Sequence, residues 1–92
     1  MKIDFTKVTV KNIEGEEVTV ELKHKDFANF MYQQAPDLEG VMTAQTIYKD
    51  GGVEVTKENA PILKDFIERY FVGYIIKKPF LDIIDKALAE AK

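Results

Sequence analysis

The sequence contains no cysteine, no serine and no tryptophan, and it has one histidine and one arginine among its 92 residues. Without cysteine the chain has no disulfide, no thiolate metal ligand and no cysteine nucleophile. The lack of serine removes the commonest hydroxyl nucleophile, and no threonine has a suitable base nearby in the sequence. We therefore predict that the chain is not an enzyme and that it uses no cofactor.

Long apolar runs are also missing. The longest, Tyr70 to Ile76, has seven residues, whereas a helix that crosses a bilayer needs about 20. The N-terminal residues Met1 to Asp4 include a lysine and an acid and lack the apolar segment of a secretion signal. We expect a cytoplasmic protein without membrane contact, and the length favours a single domain over residues 1–92.

The charge balance is acidic, with a formal net charge of −3. Some residues could nevertheless contact phosphates or stack on bases, namely Lys23 with Lys25, Lys77 with Lys78, and Tyr32, Tyr48 and Tyr74. Arg69 is the single arginine, and arginine usually supplies the bidentate contacts that read bases. These lysines and tyrosines make a small nucleic-acid-binding or regulatory domain the alternative interpretation. It is the less favoured one, because the sequence does not indicate a basic surface.

Alternating apolar residues predict a β-hairpin near residues 7–22. Val8 and Val10 alternate with polar residues before Gly15, and Val18, Val20 and Leu22 alternate after it. Ile3 and Phe5 also alternate, but out of phase with Val8, so we expect a bulge or bend near Thr6 that keeps one face buried. Val53 to Val55 is predicted to be a short third strand or an extended link.

Helical periodicity replaces the alternation after Leu22. The predicted buried positions are Phe27, Phe30 and Met31 in a first helix, then Leu38, Val41, Met42, Ala44 and Tyr48 in a second, then Ile62, Leu63, Phe66, Ile67, Tyr70 and Phe71 in a third near residues 59–71. Asp37 is expected to cap the second helix, and Gly51 and Gly52 to end it. Thr56 could cap the third, although Pro61 fits better if regular helix starts near Asn59. Pro79 is expected to begin a last helix that buries Phe80, Leu81, Ile84, Ala87 and Leu88.

Three features of the sequence are candidate sites for catalysis, metal binding or phosphate binding. His24 could act as a general base with Asp26, but a solvated histidine in a polar connection explains it better. The acids Glu14, Glu16 and Glu17 could hold a hard cation, but they suit the solvated tip of a hairpin. The Gly51–Gly52 pair lacks the lysine and hydroxyl residue of a phosphate-binding loop. We expect no metal and no catalytic residue.

The segment from Tyr70 to Ile76 has more consecutive apolar residues than one buried helix stripe requires. Either it is buried on all sides, or part of it forms an exposed patch that a partner covers. Gly73 permits a break, so the residues after it need not share the buried side of the third helix. We predict that Tyr74 and Ile76, together with Phe80, form part of a self-association or partner surface.

Four short segments resemble small uncharacterised proteins encoded in bacterial prophages. They are Gly15 to Glu17 at the hairpin, Phe27 to Tyr32, Ala44 to Lys49, and Gly52 to Thr56, within residues 5–75. The resemblance implies an accessory or structural role, for instance in head or tail assembly, and it supplies no catalytic residues.

These observations predict an α+β fold, with an N-terminal β-hairpin and a short third strand or link packed against three or four helices. The strands are expected to form one small antiparallel sheet that the helices cover. The leading functional hypothesis is a protein-interaction or assembly module, either a homo-oligomer or bound to another protein.

Overall fold

The computed structural model describes residues 1–90, so the last two residues of the domain predicted over 1–92 lie outside the described part. The strands are β1 (Lys2–Asp4), β2 (Lys7–Lys11), β3 (Glu17–Glu21) and β4 (Gly52–Glu54). The helices are α1 (His24–Gln34), α2 (Leu38–Asp50), α3 (Ala60–Tyr70) and α4 (Tyr74–Glu90). The α+β class with an N-terminal hairpin is confirmed.

The predicted hairpin consists of β2 and β3, which pair antiparallel from Lys7 with Glu21 to Lys11 with Glu17. Its turn is held by Asn12, whose Oδ1 accepts hydrogen bonds from the backbone N–H groups of Glu14 and Glu16, each at 3.0 Å. Gly15 has a φ of 86°, a conformation that glycine adopts without steric cost.

The bend expected near Thr6 is present between β1 and β2. Asp4 Oδ1 accepts hydrogen bonds from the Thr6 backbone N–H at 2.8 Å and from the Thr6 hydroxyl at 2.6 Å. Burial works against the charged form of Asp4, but these hydrogen bonds outweigh it and lower the pKa of the carboxyl. Because of the bend, Ile3 and Phe5 are buried together with Val8 and Val10.

Among residues 1–90 the strands form two separate antiparallel pairs, not the one small sheet that the sequence suggested. The stretch expected to be a third strand is β4, and it pairs with β1 so that Ile3 lies opposite Val53. Gly52 lies opposite Asp4, and a side chain there would collide with the backbone carbonyl of Ile3. The close approach of the two strands thus requires glycine at this position.

The boundaries of α2 are as predicted. Asp37 caps it by accepting a hydrogen bond from the Gly40 N–H at 3.0 Å. The helix ends at Gly51, whose φ is 80° and whose N–H donates to the Ile47 carbonyl, the left-handed C-terminal cap that glycine favours.

The predicted buried side of α2 is wrong for its large residues. The residues buried in the core are Gly40, Thr43, Ala44 and Ile47, whereas Leu38, Met42 and Tyr48 are exposed and Val41 is half-buried. Of the five residues predicted on that side, Ala44 alone is fully buried. Small residues on this side let α2 lie close to α1, as at Gly40, where an added Cβ would lie 2.8 Å from the Cβ of Ala35 at the end of α1.

Helix α3 confirms the expected position near residues 59–71. Thr56 and Asn59 exchange hydrogen bonds before it: the Asn59 N–H donates to Thr56 Oγ1 at 3.1 Å, and the Thr56 N–H donates to Asn59 Oδ1 at 2.8 Å. Asn59 also donates from Nδ2 to the Glu54 carbonyl at 2.8 Å, which ties the helix start to β4. Pro61 occupies the first turn, where its missing N–H costs little.

Helix α4 begins five residues earlier than predicted. It starts at Tyr74 and continues through Pro79, which was expected to begin it. The turn between the helices is only Phe71 to Gly73, and the Gly73 carbonyl accepts from the N–H groups of Ile76 and Lys77. Pro79 is the sixth residue of the helix and has no N–H to donate to the Ile75 carbonyl, so α4 lacks one intrahelical hydrogen bond there.

Four phenylalanines join the elements in the core. The ring centroid of Phe5 lies 4.7 Å from that of Phe27 and 5.0 Å from that of Phe80. Phe71 completes the group at 5.3 Å from both Phe27 and Phe80. These separations are typical of attractive aromatic pairs. The cluster connects the N-terminal segment, α1, the α3–α4 turn and α4.

Candidate interaction surfaces

The outer side of α2 carries the first candidate site. We use "α2 surface" for Leu38, Met42 and Tyr48 of α2 together with Tyr32 of α1. Leu38 is 71% exposed and Met42 is 53% exposed, and both tyrosines are also exposed. At 100° per residue, Leu38 and Met42 lie nearly opposite the buried side of the helix. An apolar stripe at helical spacing that faces outward is unusual for a helix on a closed core.

A shallow groove between α1 and α2 adjoins this surface. Ala28 and Ala44 contribute small apolar side chains to it, and both are buried, while Tyr32 and Tyr48 are its exposed aromatic residues. Asn29 and Gln45 add amide groups to the lining. Such a lining of apolar groups with a few polar ones is typical of surfaces that accept a partner's side chains.

The segment from Tyr70 to Ile76 is divided between core and surface. Tyr70 and Phe71 pack against the core, whereas Val72, Tyr74 and Ile75 are exposed. Gly73 and the start of α4 redirect the chain at this point, so the segment is not buried on all sides and part of it is exposed. We use "junction surface" for Val72, Tyr74 and Ile75.

The three residues predicted to form an interface have different environments. Tyr74 is 66% exposed, so its side chain is available to a partner. Ile76 is half-buried and packs against the core. Phe80 is 1% exposed and belongs to the phenylalanine cluster, so its assignment to a surface is wrong. The helical periodicity of the last helix places Phe80 on its buried face with Ile84 and Ala87, and the structure confirms that placement. That Tyr74 and Ile76 contact a partner stays a prediction.

The residues weighed for catalysis and metal binding lie apart from these surfaces. His24 is half-buried at the first position of α1. The three glutamates lie exposed around the hairpin turn. Within residues 1–90 no group of three or more histidine, aspartate or glutamate side chains is arranged to hold a metal ion.

The lysine pairs have local partners. Lys77 donates to Glu68 at 3.0 Å and Lys78 to Asp82 at 3.1 Å. The hydrogen bond to Asp82 raises the pKa of Lys78, and the negative charge of Asp82 adds to the effect. Lys25 lies 5.4 Å from the ring centroid of Tyr48. The 77/78 pair is therefore charged but locally neutralised, which weakens it as a phosphate contact.

No helix in the described part of the chain is both long and apolar enough to cross a membrane. Comparison of the chain with protein-family models, with curated proteins and with solved structures finds no match. The geometry of the described surfaces is therefore the basis for a functional assignment.

Proposed function

We propose that the protein is an interaction or assembly module that binds a protein partner through the α2 surface. The observation that carries this proposal is the outward position of Leu38 and Met42, which lie on the side of α2 opposite its buried residues. Interface centres are enriched in tyrosine and methionine, and both residue types occur on this surface. A role in phage head or tail assembly is compatible with the proposal and rests on the sequence resemblance alone.

The arrangement suits a groove that receives a helix or loop. Tyrosine contributes a large contact area with few rotatable bonds, and Tyr32 and Tyr48 both border the groove. Met42 has an unbranched side chain that adapts to the shape of a partner. Burial of these side chains in a complex supplies the driving force for binding, at about 25 cal/mol per Å² of apolar surface.

A photo-crosslinking residue at position 42 tests the proposal. We expect adducts with a protein in extracts of cells that produce the chain, because Met42 is an exposed residue of the α2 surface. The partner, identified by mass spectrometry and purified, should bind the wild-type chain and lose at least about tenfold in affinity for a Leu38→Lys variant.

Ile13 provides the matched control, because it is an apolar residue that is fully exposed at the hairpin turn, away from α2. The same crosslinker at position 13 should give no such adduct. Equal yields at both positions, or a purified partner that binds the Leu38→Lys variant normally, would remove the α2 surface from consideration.

Nucleic acid binding is the less favoured function. The net charge is −3, and Lys77 and Lys78 are engaged by carboxylates. We expect no binding to generic DNA or RNA at physiological salt, since the phosphate contacts that supply nonspecific affinity are few. Fluorescence anisotropy with labelled single and double strands measures this directly. Micromolar binding that weakens steeply with added salt would instead favour the nucleic-acid alternative.

A further inference from the structure

The β2–β3 hairpin has two open edges. In the described residues each strand pairs with the other and with no third strand. The Leu22 N–H donates to the Thr6 carbonyl, and the Asn12 N–H donates to the Glu16 carbonyl. Hydrogen-bonded and non-hydrogen-bonded pairs alternate along an antiparallel ladder, so the pairs of even-numbered residues between these two ends are the hydrogen-bonded ones. The backbone groups that point away from the hairpin therefore belong to the odd-numbered residues, which are Lys7, Thr9 and Lys11 on β2 and Glu17, Thr19 and Glu21 on β3.

These two edges carry opposite charges. The outward-pointing positions of β2 are basic at both ends, and those of β3 are acidic at both ends, with Thr9 and Thr19 at the centres. Two β2 edges placed antiparallel would bring Lys7 opposite Lys11, and two β3 edges would bring Glu17 opposite Glu21. Like charges directly opposite each other destabilise strand pairing, so a two-fold contact between identical edges is disfavoured.

A β3 edge against a β2 edge has the opposite property. In antiparallel register it places Lys7 opposite Glu21, Thr9 opposite Thr19 and Lys11 opposite Glu17, the same pairs that occur inside the hairpin. All six residues have outward-pointing backbone groups, so the register that matches the charges also matches the hydrogen bonds. Charge pairing of the side chains and hydrogen bonding of the backbone therefore favour the same register.

The β2 side of the hairpin also borders a groove. Thr9, Val10 and Lys11 line it from β2 and Glu17 from the start of β3, and α4 lines it with Tyr74, Ile75, Lys78, Pro79 and Asp82. Tyr74 and Ile75 give this wall an exposed apolar part. An added β3 would direct Val18 to the same side of the sheet as Val8 and Val10, against which α4 packs. Val18 is 40% exposed in the single chain, so this contact would cover it.

We infer that the chain assembles head to tail by strand addition, with β3 of one copy docking on the β2 edge of the next, beside Tyr74 and Ile75. The contact joins two different surfaces, so it leaves one open β2 edge and one open β3 edge at the ends of every assembly that does not close into a ring. Such contacts produce rings or open filaments. This inference concerns a different surface from the α2 surface and does not depend on it.

Proline substitutions at the two central threonines test the inference. The N–H groups of Thr9 and Thr19 point away from the hairpin, so Thr9→Pro or Thr19→Pro removes an intermolecular donor and no backbone hydrogen bond within the hairpin. Each also removes the 3.3 Å contact between the two threonine hydroxyls, which Thr19→Val removes as well. In sedimentation velocity the wild type should form species larger than dimers as its concentration rises. Each variant alone should remain monomeric, because one of its two edges is blocked.

The two variants mixed in equal amounts should form dimers and nothing larger, since the intact β3 of Thr9→Pro can dock on the intact β2 of Thr19→Pro. Thr19→Val keeps the N–H and should assemble as the wild type does. Larger species from either proline variant, or a mixture that stays monomeric while the wild type assembles, would overturn the head-to-tail contact.

Amide hydrogen exchange of the wild type gives a second measurement that needs no variant. Concentrating the protein should slow exchange at Thr9 and Thr19 by about tenfold once nine-tenths of the β2 and β3 edges are paired between copies. A wild type that remains monomeric to about 1 mM, where even weak contacts become populated, overturns the inference. Self-association without slower exchange at these two amides assigns it to another surface, and crosslinking at position 42 still tests the α2 surface separately.

Discussion

Truncation of Phe66 to alanine is expected to destabilise the protein by about 3–5 kcal/mol, the range found for phenylalanine removed from a packed core. Phe66 is 1% exposed on the inner side of α3. Its ring centroid lies 5.8 Å from that of Phe30 and 4.4 Å from the guanidinium carbon of Arg69. Loss of the ring leaves a cavity and removes both contacts. Because small domains have only about 5–15 kcal/mol of stability in total, the variant can be largely unfolded at room temperature.

Urea denaturation followed by circular dichroism measures this loss. Tyr32→Ala is the matched control, since Tyr32 is an exposed aromatic residue, on α1. We expect the control to change the free energy of unfolding by less than about 0.5 kcal/mol. A loss below about 1 kcal/mol for Phe66→Ala would show that Phe66 does not lie in the core.

Replacement of Gly52 by alanine is the second substitution with a large expected effect. The added Cβ would overlap the backbone carbonyl oxygen of Ile3 and would lie 3.2 Å from the Asp4 Cα. Both neighbours are backbone atoms of the paired strand, so the clash can be relieved only by separating β1 from β4. We expect a loss of at least about 2 kcal/mol, as for overpacked cores.

Gly73→Ala serves as the control for Gly52→Ala. The nearest atom to a Cβ at Gly73 is Cγ1 of Ile76, at 3.9 Å, which is an ordinary contact. Its effect should stay below about 1 kcal/mol, since Gly73 lies at the start of α4, where alanine is a poorer cap than glycine. Thermal melts of the two variants side by side provide the comparison. Equal melting temperatures would contradict the close pairing of Gly52 with Asp4.

Local sequence signals predicted much of the fold. Alternation around Gly15 predicted the hairpin, and the change of phase between Phe5 and Val8 predicted the bend at Thr6. The side chain of Asp37 and the glycine at position 51 determined both ends of α2. These features depend on a few adjacent residues, so they can be recognised without knowledge of the tertiary structure.

The buried side of α2 and the start of α4 could not be predicted in the same way. On α2 the large apolar residues suggested the buried side, but close packing against α1 uses Gly40 and Ala44. Which side of a helix is buried depends on the neighbouring helix, and the local sequence does not reveal that neighbour. On α4 the proline at position 79 suggested a helix start, but the chain was already helical from Tyr74. The pairing of β1 with β4 could not be predicted either, because the two strands are far apart in the sequence.

The pairing of β1 with β4 has a consequence for the order of events as the chain is made. The hairpin and the α1–α2 pair close over short loops, so they can form early at low entropic cost. Ile3 has no strand opposite it until Val53 has been synthesised, and Phe5 gains its contact with Phe80 only when α4 follows. The strand β1 therefore leaves the ribosome well before its partner strand and is among the last elements to be fixed. Until then, two large apolar side chains near the N-terminus are free to contact chaperones or other nascent chains.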